Sequence, residues 1–516
     1  MNLRNLLLSV AAIAASPLFA ETYYVTPEGA GSKDGSSWEN AFGVEELIAK
    51  AAANENGDVY NFAGGVYKPS DVVSFKAQTG ATLNGNTEGE RTVFSGDVDG
   101  DNIPTDMDLD ILIKVQANTT NGISTNLIKI NNIDFTCVFT DNTDGNNTNI
   151  GALMIDNSGD VQVQGCRFYN NKATGTQGGA PCQINRSTVK FTNCDFYKNT
   201  CESRGAAIRL RSGNNGDTPD KNAAKKGFTT FENCVFKENT TNDNLGVIFA
   251  ATANQVNLIN SVVVNNVSNG TEKAATIFLN PKGTFANQLT IINSTIAGNT
   301  PSQIGFNGKG ANLRMVNSII VGAEGTNAID FSADEDFANV MSGGYNYVGP
   351  ISVGEFWQDT DNHGTDCTYA SIFGDNTLNS DNQLVPVKYV AGASGEQVTS
   401  ATADWGLPTG LSLTTDAAGN TRAAGMTPGA NSFTEAQIKD FTTSVITVIN
   451  DAENTPHLVK VANSVYTVEG TTEGITVYTV NGATVAATSS NTVDLSSFAN
   501  GLYILKSGNA IFKIMK

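Results

Sequence analysis

The stretch Asn193-Cys194-Asp195-Phe196-Tyr197-Lys198-Asn199 is one copy of a unit that returns along the chain. The segments IKINNIDF (128–135), VQVQGCRFYNN (161–171), VKFTNCDFYKN (189–199), TTFENCVFKEN (229–239), VNLINSVVVNN (256–266), LTIINSTIAGN (289–299) and LRMVNSIIVG (313–322) overlay without a gap. Each turns on a pivot: Asn132, Gly165, Asn193, Asn233, Asn260, Asn293 or Asn317. A small or apolar residue follows the pivot, and an apolar one stands two further on (Phe135, Phe168, Phe196, Phe236, Val263, Ile296, Ile320). In four copies an Asn comes three residues beyond a Phe or Ile, at 171, 199, 239 and 299. The pivots are 24 to 40 residues apart, too irregular for a helical repeat. Alternation around each pivot has period 2, so the units are strands. A short strand, a one-residue corner and another short strand describe one coil of a parallel β-helix. Asn fits the corner because it tolerates the left-handed conformation, and Gly165 replaces it for the same reason. Stacked pivot asparagines are expected to hydrogen-bond along the axis.

A further strand type lies between pivots: GALMI (151–155), GAPCQI (179–184), GAAIRL (205–210), GVIF (246–249) and AATIFL (274–279). Leu153, Ile155, Ile184, Ile208, Leu210, Ile277 and Leu279 are expected to stack inward, with polar residues outward. Eight to ten coils at about 4.8 Å each are expected to form a rod on the order of 40–50 Å. Surplus length goes into edge loops, the longest at 212–227, and loops held by a rigid scaffold carry function.

At the start, Arg4, an apolar run over 6–15 and the small residue Ala20 read as a signal peptide over residues 1–20. That run is too short to span a bilayer, and no later segment reads as a transmembrane helix. The net charge of −20 argues against nucleic acid as a partner. Seven cysteines leave at least one thiol unpaired. Cys166, Cys194 and Cys234 share one position in successive coils and read as buried small apolar residues. If a disulfide forms, Cys182 and Cys201 are the first pair to test.

Residues 21–75 place a strand at 23–25, an amphipathic helix over 39–53 carrying Phe42, Leu47 and Ile48, and a strand over 58–62. A helix ahead of the first coil is a cap over an open sheet edge. The pattern Gly35 to Trp38, helix, Gly57-Asp58, then Gly65 to Pro69 resembles the N-terminus of secreted bacterial right-handed β-helix proteins with a choice-of-anchor Q region. Gly178-Gly179-Ala180 and the Phe-x-x-Asn copies starting at Phe168, Phe196 and Phe236 resemble repeats of the chlamydial polymorphic membrane proteins. Asp416, Gly419 and Arg422 are similar to the closing motif of the first group and imply a C-terminal cap. The resemblance implies an all-β, pectate-lyase-like right-handed parallel β-helix over residues 21–430, and says little about function.

Residues 431–456 read as a linker with a short helix around 435–441. Residues 457–516 hold short alternating strands parted by Asn481-Gly482 and Ser507-Gly508, as in a β-sandwich. Val493-Asp494-Leu495, Gly501-Leu502-Tyr503, Lys513 and Lys516 resemble the C-terminal sorting domain of type IX secretion cargo in Bacteroidetes. That resemblance implies the secretion machinery as a partner, outer-membrane recognition, and a fate at the cell surface or outside the cell.

Chemistry has two candidate places. In GDVDGDNIPTDMD (96–108), Asp97, Asp99, Asp101 and Asp108 stand at positions 1, 3, 5 and 12, the carboxylate spacing of a calcium loop. Asn102 replaces the usual Gly, and a solvated acidic loop is the alternative. The second place is Arg186, Glu202, Arg204, Arg209 and Arg211, on neighbouring coils near Lys190 and Asp195. Converging cations of this kind could neutralise a uronate and supply a base, as a polysaccharide lyase requires; solvated outward strand residues are the plainer reading. Only His363 and His457 exist, so no histidine mechanism operates on the coils. No phosphate loop, dinucleotide fingerprint or nucleophile elbow occurs. The favoured function is a non-enzymatic adhesin or glycan- or protein-binding module; a polysaccharide lyase and a structural surface protein are the alternatives.

Overall fold

The computed structural model describes residues 20–516 except 56, 118–122, 143–150, 176–180, 212–226, 243–244, 252–253, 271–273, 282–285, 308–309, 331–339, 351–355, 444–455, 463, 480–481 and 509. The signal-peptide reading and the loop read as longest fall outside the described residues, apart from Ala20 and Gly227 at their ends. Two compact units form: one runs through Leu384 and resumes over Val390–Ser432, the other holds Val385–Tyr389 and Phe433–Lys516.

The first unit is a right-handed parallel β-helix. Strands of the type Thr188–Thr192 pair in parallel into a first sheet of eleven, and strands of the type Asp195–Tyr197 into a second sheet of eleven. Strands such as Ile208–Arg211 make a third sheet of nine, and two- to four-residue strands such as Thr200–Cys201 a short fourth sheet of five. Ten coils carry a strand of both sheets, at the upper end of the eight to ten expected, and Thr22–Val25 and Asn362–His363 each extend one sheet by a further strand.

The pivots do what their chemistry suggests. Asn132, Asn193, Asn233, Asn260, Asn293 and Asn317 all have φ between 49° and 58°, and Gly165 has φ 64°. The axial asparagine ladder, however, is elsewhere. Only Asn317 bonds the next pivot, donating Nδ2 to Asn293 Oδ1 at 2.8 Å. The continuous ladder is Asn171, Asn199, Asn239, Asn266 and Asn299, each Nδ2 reaching the next Oδ1 at 2.9 Å. Gln303 Oε1 receives the last. Each linking Oδ1 also accepts the backbone N–H of the preceding ladder residue, so these buried amides satisfy the corner's own donors. Asn266 follows a Val-rich strand, which is why the Phe-based pattern misses it.

Inside, Phe135, Phe168, Phe196 and Phe236 stack with centroids 4.6 to 4.8 Å apart, the strand spacing itself. Cys166, Cys194 and Cys234 are buried, and each thiol hydrogen-bonds the carbonyl two residues back. Ser261, Ser294 and Ser318 do the same in the later coils. No disulfide joins the seven cysteines, and Cys182 and Cys201 lie on different sheets. Burial pushes the Cys166, Cys182 and Cys194 thiols well up, which leaves them inert.

The third sheet buries Leu153, Ile155, Ile184, Ile208, Leu210, Ile277 and Leu279 inward as expected. Its outer face is not polar throughout: Met154, Phe249 and Phe278 are buried there too. At the N-terminal end, a 3-10 turn at Trp38–Asn40 precedes a helix at Val44–Ala52. Phe42 thus lies ahead of the helix, whose Leu47 and Ala51 join the main core.

In the second unit, helix Glu435–Thr443 precedes two antiparallel sheets of three and four strands. Their core includes Tyr466, Val468, Ile475, Val477, Leu505 and Ile514. Thr484–Thr488 is a strand that the sequence pattern does not mark, since its residues are small and mostly exposed.

Candidate functional site

The outer faces of the first two sheets divide into a bare half and a covered half. On the first sheet, the residue before the pivot runs in register as Asn61, Asn84, Asn131, Gln164, Thr192, Glu232, Ile259, Ile292 and Val316. Amides occupy the early coils and aliphatics the late ones. On the second sheet, Asp134, Arg167 and Asp195 give way to Val235 and Val262, while Tyr169, Tyr197 and Lys237 give way to Val264, Ala297 and Val321.

A strap causes the change. Residues 367–384 and 390–432 run back along the side of the late coils. Trp405, Val398 and Ala393 pack on Ile259, Ile292 and Val316. Ile372, Phe373, Leu384 and Ala430 pack on Val262, Val264, Ile319 and Val321. The pivots anchor it: Asn260 and Asn293 donate to the carbonyls of Ser412 and Leu413 at 2.7 and 3.1 Å, and Asn317 Oδ1 accepts from Ala393 N–H at 2.8 Å. Asn260 and Asn293 direct their Nδ2 donors to the strap, so of these three pivots Asn317 alone donates along the axis. Asp416 and Arg422, expected as an end cap, instead fold this lateral strap. Buried Asp416 accepts from the N–H groups of Ala418, Asn420 and Ser432. Arg422 donates to the carbonyls of Thr415, Gly429 and Ala430 and to Asn260 Oδ1. Burial pushes its guanidinium down to about 10, against the pull of Asp416.

The bare half of the first sheet is concave and polar. Asn84, Lys129, Asn131, Gln162 and Gln164 line a depression of about 370 Å³. Asn131 Nδ2 donates to Asn84 Oδ1 at 2.9 Å, and Asn84 Nδ2 to Asn61 Oδ1 at 3.0 Å. The amides are therefore held in line, while Gln162 and Gln164 stay exposed.

The bare half of the second sheet carries an ion column. Arg91 donates to Asp134 Oδ1 at 2.6 and 2.9 Å, and Arg167 stands 3.9 Å from the same carboxyl. Tyr169 and Tyr197 stack outside at 5.0 Å. Burial raises Asp195, with Lys237, Arg167 and Arg91 pulling the other way. This column was readable in the overlay, where the residue two after the pivot alternates in charge and then turns apolar.

The arginine cluster does not converge as a whole. Arg186 pairs with Asp156 at 2.9 Å, and Glu202 accepts the Gly175 N–H. Arg209 is buried and donates to Gln183 Oε1 at 3.2 Å, not solvated as an outward strand residue would be. Burial first, then Arg204 and Arg211, push it down to about 9, so those three cations do share one neighbourhood. Arg204 lies over the Phe249 ring. Lys190 and Asp195 sit on the first and second sheets, away from this third-sheet group, and Lys190 pairs with Glu232 at 2.6 Å.

In the acidic loop, Asp97, Asp99 and Asp108 bring one carboxylate oxygen each within 4.8 Å of one another. Asp101 stays out of that group, because its carboxylate turns back to cap the Ile103 N–H at 2.7 Å. Buried Asp97 pairs with Lys68 at 2.9 Å and accepts the Gly100 N–H. Although burial raises it, Lys68 and the loop N–H groups hold Asp97 below the usual carboxylate range. Asp99 accepts the Asp101 N–H, which lowers it, but desolvation and the charges of Asp101, Asp108 and Asp97 leave it raised. Three such oxygens suit a hard divalent cation, with Lys68 already supplying part of the compensation.

The chain matches no protein-family model and no curated protein. Among solved structures it is similar to pectate lyase Pel9A, at 16% identity over 67% of this chain and 74% of that one, TM-score 0.30. A glycoside hydrolase aligns at 9% identity over 68% and 98%, TM-score 0.34. An alginate lyase from Paenibacillus sp. aligns at 11% identity over 66% and 99%, TM-score 0.25. Likeness at this level carries no argument about activity; the parallel registers themselves establish the β-helix.

Proposed function

We propose that this chain is an exported, non-enzymatic glycan-binding β-helix whose ligand lies on the bare amide face of the first sheet. The observation that carries this is the in-register column Asn61, Asn84, Asn131 and Gln164, its three asparagines joined by side-chain bonds and flanked by Lys129 and Gln162. Primary amides offer both donors and acceptors, which suits the hydroxyls of a polysaccharide. Repetition at strand spacing suits an extended ligand. In this reading residues 1–20 direct export, residues 457–516 engage type IX secretion, and the mature protein acts at the cell surface or beyond it. A polysaccharide lyase is the second reading, favoured by the neighbourhood of Arg204, Arg209 and Arg211, where burial and like charge depress Arg209.

The test is retention of the purified protein on soluble polysaccharides, followed together with the absorbance of unsaturated products. Retention without turnover, weakened by Gln162→Ala and Asn131→Ala, is expected. Turnover that Arg204→Ala or Arg209→Ala abolishes would replace the binding reading with the lyase.

A further inference from the structure

The amide column does not stop at Asn61. Register carries it one strand further, to Tyr24 on the strand Thr22–Val25. Tyr23 and Val25 are buried in the core, so Tyr24 between them stands on the outer face, as Asn61 does between Tyr60 and Phe62. The N-terminal cap adds a second ring there. Tyr24 N–H donates to the Gly35 carbonyl at 3.0 Å, and Phe42 N–H donates to the Tyr24 carbonyl at 2.9 Å. The segment 35–42 therefore closes the free edge of the first strand. Trp38 opens the 3-10 turn of that segment and packs on Tyr24, with centroids 4.8 Å apart and planes at 61°. This contact puts the indole on the same outer face as the amides.

Closing the edge does not require an open indole. The backbone pairing does that work, and Phe42 supplies the segment's core contact. Yet Trp38 is 44% exposed, whereas Trp405 beneath the strap is 7% exposed. No other Trp, Phe or Tyr with a described side chain is as open to solvent. An exposed ring at the end of a polar column offers apolar area and an electron-rich face. The C–H-bearing face of a pyranose complements both. From Gln164 to Tyr24 the column spans four strand steps of about 4.8 Å, or roughly 19 Å, enough for about five pyranose units in an extended chain.

We infer that Trp38 is the stacking end of a glycan track: a linear pyranose polymer lies along the column from Gln164 and stacks one ring on the Trp38 indole. The inference rests on the amide-face reading and adds to it the ligand's class, extent and terminal contact. The amides take its hydroxyls, and Trp38 takes a ring face. The contact is made by the side chain, because the backbone of the first strand is already paired on both edges. Fluorescence reads it rather than backbone exchange.

Calorimetry on the purified protein with cello-, xylo-, manno- and galacturono-oligosaccharides, dimer to hexamer, tests the track. In the series that binds, affinity is expected to climb with length to about five units and then level. Trp38→Ala is expected to weaken hexamer binding about tenfold, the loss of one aromatic contact, and Trp38→Phe to recover most of it. Acrylamide quenching of tryptophan fluorescence is expected to fall when the hexamer binds, since Trp38 is the exposed indole. Hexamer binding that Asn131→Ala weakens but Trp38→Ala does not, with quenching unaltered by ligand, would overturn the inference and leave the amide face standing. A loss in Trp38→Ala that tracks a lowered melting temperature and is not recovered by Trp38→Phe would make Trp38 a cap residue only, and overturn it equally. Binding by no series, with no polysaccharide retained, would overturn the inference and the amide-face reading together.

Discussion

The early and late coils share one backbone and differ in what stands outside them. At the residue before the pivot, Asn131 and Gln164 meet solvent, whereas Ile259 and Ile292 meet Trp405 and Val398 of the strap. The β-helix does not need either choice, since its core is closed from within. The outer residue therefore reports what covers each coil: apolar where the chain itself returns, amide or ionic where it does not. Polar side chains kept in register on a bare sheet also guard it against adventitious association.

The most damaging way to break this contrast is to release the strap. Arg422→Ala removes a buried cation that holds four acceptors and exposes the aliphatic columns. A loss of about 3 kcal/mol is expected from hydrogen bonds to a buried charge. Hydrogen exchange over 390–432 and dye binding by the exposed Ile259 and Ile292 face would report it.

Next comes the ladder. Asn239→Ala leaves the amides of Asn199 and Asn266 without their partners in a buried column. About 2 kcal/mol is expected in denaturant unfolding of the coils. The equivalent change on the bare face, Asn84→Ala, is expected to cost within about 0.5 kcal/mol.

An exchange sharpens the comparison further. Ile292→Asn buries an amide beneath the strap and is expected to cost about 2 kcal/mol. Asn131→Ile leaves stability nearly unchanged but removes a ligand group and is expected to lower polysaccharide retention.

Protonation gives a smaller effect. Asp195 is raised in the folded chain, so the folded state holds its proton to higher pH than the unfolded state does. Stability therefore falls as pH rises from the unfolded value near 3.9 through the folded one. Asp195→Asn is expected to melt above the parent at neutral pH, the gap closing below about pH 4. A gap that persists in acid would assign the effect to packing.

The smallest expected effect is at the acidic loop. Calcium is expected to raise the melting temperature by a few degrees, Asp108→Ala to remove that rise, and Asp101→Ala to leave it. An unchanged melt with calcium or chelator would return the loop to plain solvation.

Much of the fold was legible because coil geometry constrains each residue locally. A one-residue corner needs Asn or Gly, and a core column needs Phe or Ile at a fixed offset from it. The strap was not legible in this way. Its contacts join Asn260 to Ser412 and Arg422 across more than 150 residues, with no period to betray them. The candidate cationic cluster misled in part, because Arg186 and Arg209 are outward on paper yet sit against Asp156 and Gln183. The bare face was legible only in outline: alternation marks its residues as outward, but only register shows that the amides form one line that stops where the strap begins.

The most direct measurement is hydrogen exchange by mass spectrometry with and without a retained polysaccharide. Protection confined to residues 82–87, 128–132 and 161–165 is the expected result, with the strapped coils unchanged. Protection centred on residues 204–211, or on the late coils beneath the strap, would contradict a ligand face on the bare half.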